Sequence, residues 1–177
     1  MNRPLEALLE DLRVDLALSE GQVLAWYGLS LEKLFPMSGM SFPKNEVLLR
    51  EVLLPEGSFL RKVRFITLKG LKDAQATSLR HLAGVATMRR LLGVKEGWRV
   101  NPGVGVDRPD ALWGEVAVEY DAGEYSVPTL RRKLGAFERY PAQVWGVASA
   151  RRRGLILRLA EEMGIQNLVE VLEAPWG

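Results

Sequence analysis

The sequence predicts a mixed α/β protein, and three observations carry that expectation. From residue 77 onward, stretches of helical periodicity alternate with short apolar runs in the order α-β-β-β-α-β-α, with a further strand through Leu168 to Leu172. Residues 1–72 read instead as a mainly helical segment that closes with a β-hairpin, the outline of a winged helix. A helical cap packed on the main domain fits the same pattern. The chain has 177 residues, 47% of them hydrophobic, enough for one globular domain at 73–177 plus that N-terminal segment.

Each element has a local reason. Leu5, Leu8, Leu9, Leu12 and Leu16 recur at helical spacing, and Ser19 with Gln22 forms a capping box for a second helix. Gly28, Pro36, Gly39 and Pro43 then interrupt the chain. Asn45 to Leu54 is expected as a third helix, followed by a turn at Pro55-Glu56-Gly57 and a basic strand from Leu60 to Leu68. In the main domain, Leu79, Leu82, Ala83, Ala86 and Leu91 line one face of a helix whose other faces carry Arg80, Arg89 and Arg90. A short strand at Trp98 to Val100 follows Gly93 and Gly97. Pro128 suits the first turn of a helix, where a missing N–H costs nothing, and Leu130, Leu134, Phe137 and Tyr140 form its stripe. Gln143 to Ala148 reads as a buried strand. Ser149 caps a last helix with Leu155, Leu159 and Met163 inward and Gly164 past its end.

Composition excludes several chemistries. There is no cysteine and one histidine, so disulfides, thiolate zinc sites, cysteine nucleophiles and polyhistidine centres are out, and any metal must be held by oxygen. No signal-peptide core and no apolar run near the roughly 18 residues of a membrane span is found, which predicts a cytoplasmic protein without membrane contact. Seventeen arginines against seven lysines, with four asparagines, would suit a thermophile. Net charge is +2, but residues 58–100 carry ten basic and two acidic groups while residues 1–57 carry five and nine. Such a block attracts polyanions, nucleic acid foremost, and a solvated helix face is the plainer explanation. Arg61, Lys62, Arg64, Arg80, Arg89 and Arg90 are the expected DNA contacts. Arg151 and Arg152, with Arg153, add positive charge at a helix N-terminus, where backbone N–H groups already favour phosphate. Gly103-x-Gly105 lacks the strand-then-helix setting of a nucleotide loop.

Two strand-like runs meet at Gly114-Glu115, and glycine at the first central position suits a type II′ turn. The turn fixes the register: Trp113 faces Val116, Leu112 faces Ala117, Ala111 faces Val118, and Asp110 faces Glu119. Like charges directly opposite repel, so a purely structural hairpin gains nothing from them. A divalent cation would turn the repulsion into coordination, and Mg²⁺ or Mn²⁺ favours one or two carboxylates with waters and phosphate oxygens. The alternative is that Asp110 is a turn residue after Pro109 and Glu119 an exposed strand residue.

A proline–aspartate on one strand, a glutamate on the next and helices before and after them resemble the PD-(D/E)XK, or restriction endonuclease-like, nuclease superfamily with its αβββαβ core. The resemblance covers roughly residues 77–150. Within it, His81-Leu82, Arg108-Pro109-Asp110-Ala111-Leu112, Val118-Glu119-Tyr120-Asp121-Ala122-Gly123, Lys133-Leu134 and Tyr140 resemble the replication-relaxation family of plasmid and mobile-element proteins. The family typically places a winged-helix segment ahead of the nuclease-like core. The resemblance implies that Asp110 and Glu119, with Asp121 beside them, hold Mg²⁺ or Mn²⁺. The family's lysine two residues after the glutamate is Asp121 here, and Lys133 on the next helix supplies the ammonium; a surface lysine beside an apolar stripe is its plainer role. No acidic residue lies between Thr77 and Leu92, where many active relatives carry a further ligand.

Three functions are expected in competition. One is a metal-dependent DNA nuclease or nickase in replication, mobilisation or defence of a mobile element, with replication or mobilisation proteins as partners. The second is a DNA-binding or scaffold protein of the same fold without catalysis. The third is a transcriptional regulator whose C-terminal part forms a homodimer.

Overall fold

The computed structural model describes residues 3–35, 46–101, 105 and 107–177. The breaks at Pro36, Gly39 and Pro43, residue Asn45 and Gly103 of the glycine loop lie outside them. Six α-helices and two sheets among the described residues give the mixed α/β class. No helix there is long and apolar enough to cross a membrane. The chain divides into two compact units, Met1–Ala83 with Trp176–Gly177, and Gly84–Pro175.

The first unit runs α1 (Arg3–Asp15), β1 (Ala17–Ser19), α2 (Glu20–Tyr27), α3 (Leu31–Leu34), β2 (Val47–Glu56) and β3 (Phe59–Leu68). Its sheet has the order β1-β3-β2, antiparallel throughout. Leu8, Leu9 and Leu12 of α1 are buried. Leu16, expected on that face, lies beyond the helix with a φ of 69°. The capping box is formed: the Ser19 N–H donates to Gln22 Oε1 at 2.8 Å and the Gln22 N–H to Ser19 Oγ at 3.3 Å.

The helix expected at 45–54 is instead strand β2. Val47-Leu48-Leu49 and Val52-Leu53-Leu54 satisfy either period, and the β-branched and aromatic residues of Phe59–Leu68 supply a partner that decides for strand. The turn is accordingly at Gly57-Ser58, with Gly57 at a φ of 61° and Glu56 facing Phe59.

The boundary between units falls within α4 (Ala76–Leu91), after Ala83 rather than at residue 72. The Gln22 side-chain amide donates to the Ala83 carbonyl at 2.6 Å, and Arg50 donates to the carbonyls of Leu71 and Ala74 at 2.7 and 2.9 Å. The first of these bonds ties the first half of α4, and the other two the segment before it, to the first unit.

The second unit holds a five-stranded sheet, β4 (Trp98–Val100), β5 (Ala111–Trp113), β6 (Val116–Asp121), β7 (Gln143–Val147) and β8 (Val169–Glu173), in that spatial order. β4, β5 and β6 are antiparallel neighbours, while β6, β7 and β8 run parallel through the crossover helices α5 (Val127–Ala136) and α6 (Ala150–Glu162). Leu130, Leu134 and Phe137 pack with Ile156 and Leu159 on one face of the sheet, over Ala117, Trp145 and Val147. Pro128 sits in the first turn of α5, Ser149 caps α6 and Gly164 follows it with a φ of 73°.

Tyr120 and Gly146 meet the second half of α4 on the other face. A Cβ at Gly84 would lie 2.3 Å from the Tyr120 ring, and one at Gly146 would lie 2.4 Å from Met88 Sδ. Alanine in a helix normally gains about 1 kcal/mol over glycine, but overpacking a core costs about 1–3 kcal/mol. Tyr120 is fully buried and cannot swing away. Gly84→Ala is therefore expected to lower stability by about 1–2 kcal/mol in urea denaturation, against the usual sign for a helical glycine.

Candidate active site

β6 is buried along its length except at Val116, yet it carries two carboxylates, Glu119 and Asp121. Ala111 pairs with Val118, Leu112 with Ala117 and Trp113 with Val116, so Asp110 stands opposite Glu119 one step beyond the ladder. Gly114 has a φ of 57° and Glu115 is not among the residues of positive φ, as a type II′ turn requires. Asn101 fixes the approach to β5. Its backbone N–H donates to the Asp110 carbonyl at 2.7 Å and its side-chain amide to the Pro109 carbonyl at 3.3 Å.

Where the ladder ends, side chains continue it. The Asp110 N–H donates to Glu119 Oε2 at 3.2 Å, and the Tyr120 N–H donates to Asp110 Oδ2 at 2.8 Å. The other Glu119 oxygen, Oε1, takes Lys133 Nζ at 2.6 Å and the Tyr125 hydroxyl at 2.9 Å. The Glu119 side chain is 0% exposed and that of Lys133 7%. Lys133 is thus a buried partner of the carboxylate rather than a surface lysine. Its ammonium also lies over the rings of Tyr125 and Phe137, at 5.1 and 5.6 Å from their centroids. Helix α5 is held to β7 beside it: the Gln143 amide donates to the Leu134 carbonyl at 2.9 Å and accepts from Trp145 Nε1 at 3.0 Å.

Burial pushes the Glu119 carboxyl up to about 8, the charge of Asp110 adds to the rise, and Lys133 and Tyr125 oppose it. Burial, together with the negative charges of Glu119, Asp110 and Asp121, raises the Tyr125 hydroxyl far above its ordinary value, so it stays a donor. Burial is the largest cause of that rise, and it acts although Lys133 already stands 2.6 Å from the carboxylate. Asp110 and Glu119 together fit the oxygen inventory of Mg²⁺ or Mn²⁺, with water and phosphate completing the shell.

Asp121 does not join them. Its Oδ2 is ion-paired with Arg152 Nε, and its Oδ1 accepts the Gly123 N–H at 2.9 Å. Arg152 also donates to the Tyr125 carbonyl. Among the described residues no three His, Cys, Asp or Glu side chains are grouped to hold a metal. Asp121 thus has a cation from α6 as its partner, as Glu119 has one from α5.

The expected DNA contacts are spread over both units. Arg61 and Lys62 are exposed beside Glu56 at 3.6 Å and Glu51 at 3.0 Å. Arg64 is about three-quarters covered and bridges Glu20 and Glu32 at 2.7 and 3.0 Å. Arg80 is a correction: it is 5% exposed, so its charge is not on the surface. Arg89 donates to the Val94 carbonyl at 3.4 Å, and Arg90 is exposed. Leu91, expected in the core, is 59% exposed at the end of α4.

Tyr125 was not marked by any spacing, since it lies in the loop between β6 and α5. Asp121 was the available signal for Arg152: an acid inside a buried strand demands a cation, and α6 begins with three arginines. Comparison of the chain with protein-family models, with curated proteins and with solved structures returns no match.

Proposed function

We propose that the chain is a DNA-acting protein with a metal-dependent, nuclease-like centre at Asp110, Glu119 and Lys133, serving replication, mobilisation or defence of a plasmid or other mobile element. The observation that carries this reading is the buried Glu119, faced by Asp110 and contacted at 2.6 Å by Lys133 from a helix 14 residues further along the chain. Two topologies support it. The second unit's helix, three antiparallel strands, crossover helix and parallel strand follow the αβββαβ order of restriction endonuclease-like cores. The first unit's helix, strand, two helices and hairpin follow that of a winged helix.

In this reading Asp110 and Glu119 would hold Mg²⁺ or Mn²⁺, and the ion would supply Lewis-acid chemistry. Tyr125 fixes the Glu119 carboxylate through its hydroxyl. Lys133 keeps a positive charge beside the reacting phosphate, where charge grows in the transition state. Plasmid nicking assayed with Mn²⁺ is expected from the wild type and is expected to fall at least about 100-fold in Asp110→Asn, Glu119→Gln and Lys133→Met. Intact nicking in all three variants would exclude the assignment.

A second reading keeps the DNA binding without catalysis. It is favoured by the closed Glu119–Lys133 pair and by Asp121 standing where the superfamily carries lysine. Both readings predict affinity that falls with salt. Arg61→Glu and Lys62→Glu should each weaken binding in filter assays and reduce the log–log salt slope by about one unit.

A further inference from the structure

Strands β6 and β7 run parallel and end side by side, at Asp121 and Val147. The residues just beyond them and the first turns of α6 line a half-open cavity of about 550 Å³. Gly123 and Ser149 form part of its wall, Leu155 gives it an apolar side, and Arg151, Arg152 and Arg158 are the three charged residues that line it. Among the described residues no carboxylate lines it.

The arginines are not equivalent. Arg152 is consumed by Asp121 and the Tyr125 carbonyl, so it shapes the wall. Arg158 has Glu162 at 3.9 Å, with 66% and 44% of the side chains exposed. A pair so long and so wet is worth close to nothing and leaves Arg158 able to turn to another anion. Arg151 is exposed and has no carboxylate within ion-pair distance among the described residues. Two arginines with guanidinium groups left for another anion line the cavity, and a guanidinium fork suits the several acceptor oxygens of a phosphate. The volume exceeds a bare ion and leaves room for a sugar against Leu155.

We propose that this cavity binds the terminal phosphate of a nucleotide, either free or at a DNA end. The source of that phosphate rests on the DNA-acting reading, whereas phosphate binding stands on the cavity itself.

The test uses the full chain in EDTA and fluorescence anisotropy with single-stranded oligonucleotides carrying a 5′-phosphate, a 3′-phosphate or neither. One phosphorylated end is expected to bind about tenfold tighter than the unphosphorylated strand. Arg151→Gln and Arg158→Gln should each reduce that preference, and the double variant should erase it while melting at the parent temperature, because both side chains are exposed. Inorganic phosphate should compete weakly. A deoxynucleoside monophosphate competing as well as the phosphorylated strand identifies free nucleotide as the source, and competition by the strand alone identifies a DNA end. Equal binding of all three strands with no competition by the monophosphate overturns the proposal, as does a preference that survives the double variant. A phosphate preference that persists when Asp110→Asn and Glu119→Gln leave Mn²⁺ behaviour unchanged would reject the metal centre and keep the phosphate site.

Discussion

Lys133→Met should destabilise the protein by about 3–5 kcal/mol near pH 9 and by far less near pH 6. At the higher pH Glu119 is ionised in the parent; without its ammonium partner the carboxyl must either stay charged with only the Tyr125 hydroxyl and the Asp110 N–H as donors or take up a proton against the pH, and either course costs stability. At the lower pH the carboxyl keeps its proton and needs no cation. Methionine fills nearly the same space against Tyr125 and Phe137, so lost packing is a minor part of the effect. Glu119→Gln in the Lys133→Met background should restore most of the loss at high pH, because no buried charge then remains. Guanidinium denaturation of the four proteins at both pH values reads the coupling directly.

The second large effect is a pH dependence of the unaltered protein. Folding raises the Glu119 carboxyl from its ordinary 4.5 to about 8, so the folded chain binds more protons than the unfolded chain between those values. The associated stability is fully present below 4.5 and is lost as pH rises through about 8. Its full size is about 5 kcal/mol. Glu119→Gln removes the titrating group, and its stability should be nearly flat over the same window. A parent as flat as Glu119→Gln would show that Lys133 keeps the carboxylate ionised throughout.

The acidic hairpin was legible because one turn determines everything after it. Gly114-Glu115 fixes the partner sum, and the apolar alternation fixes the faces, so Asp110 had to meet Glu119. Lys133 was reachable only through the family resemblance, since nothing local tells whether a lysine beside an apolar stripe turns inward. The caps at Ser19 and Ser149 were legible for the same reason as the hairpin: they are bonds between residues three apart. What failed was decided at longer range. Val47 to Leu54 fits both periods, and only β3 beside it makes it strand β2 and not a helix. Arg80 and Leu91 were misplaced because α4 buries Arg80 and leaves Leu91 outside. The Asp121–Arg152 pair joins residues 31 apart on a strand and a helix, a contact no window of sequence contains.

Calorimetric titration of the full chain with Mn²⁺ asks whether Asp110 and Glu119 together bind a divalent ion. Binding requires the ionised Glu119 carboxylate, so affinity should rise about tenfold per pH unit below 8 and level off above it, with a proton released on binding. Asp110→Asn and Glu119→Gln should each abolish the heat. An absence of Mn²⁺ binding at pH 8.5, or binding that survives both substitutions without pH dependence, would contradict the account and leave the two carboxylates as the hydrogen-bonded end of a β-ladder.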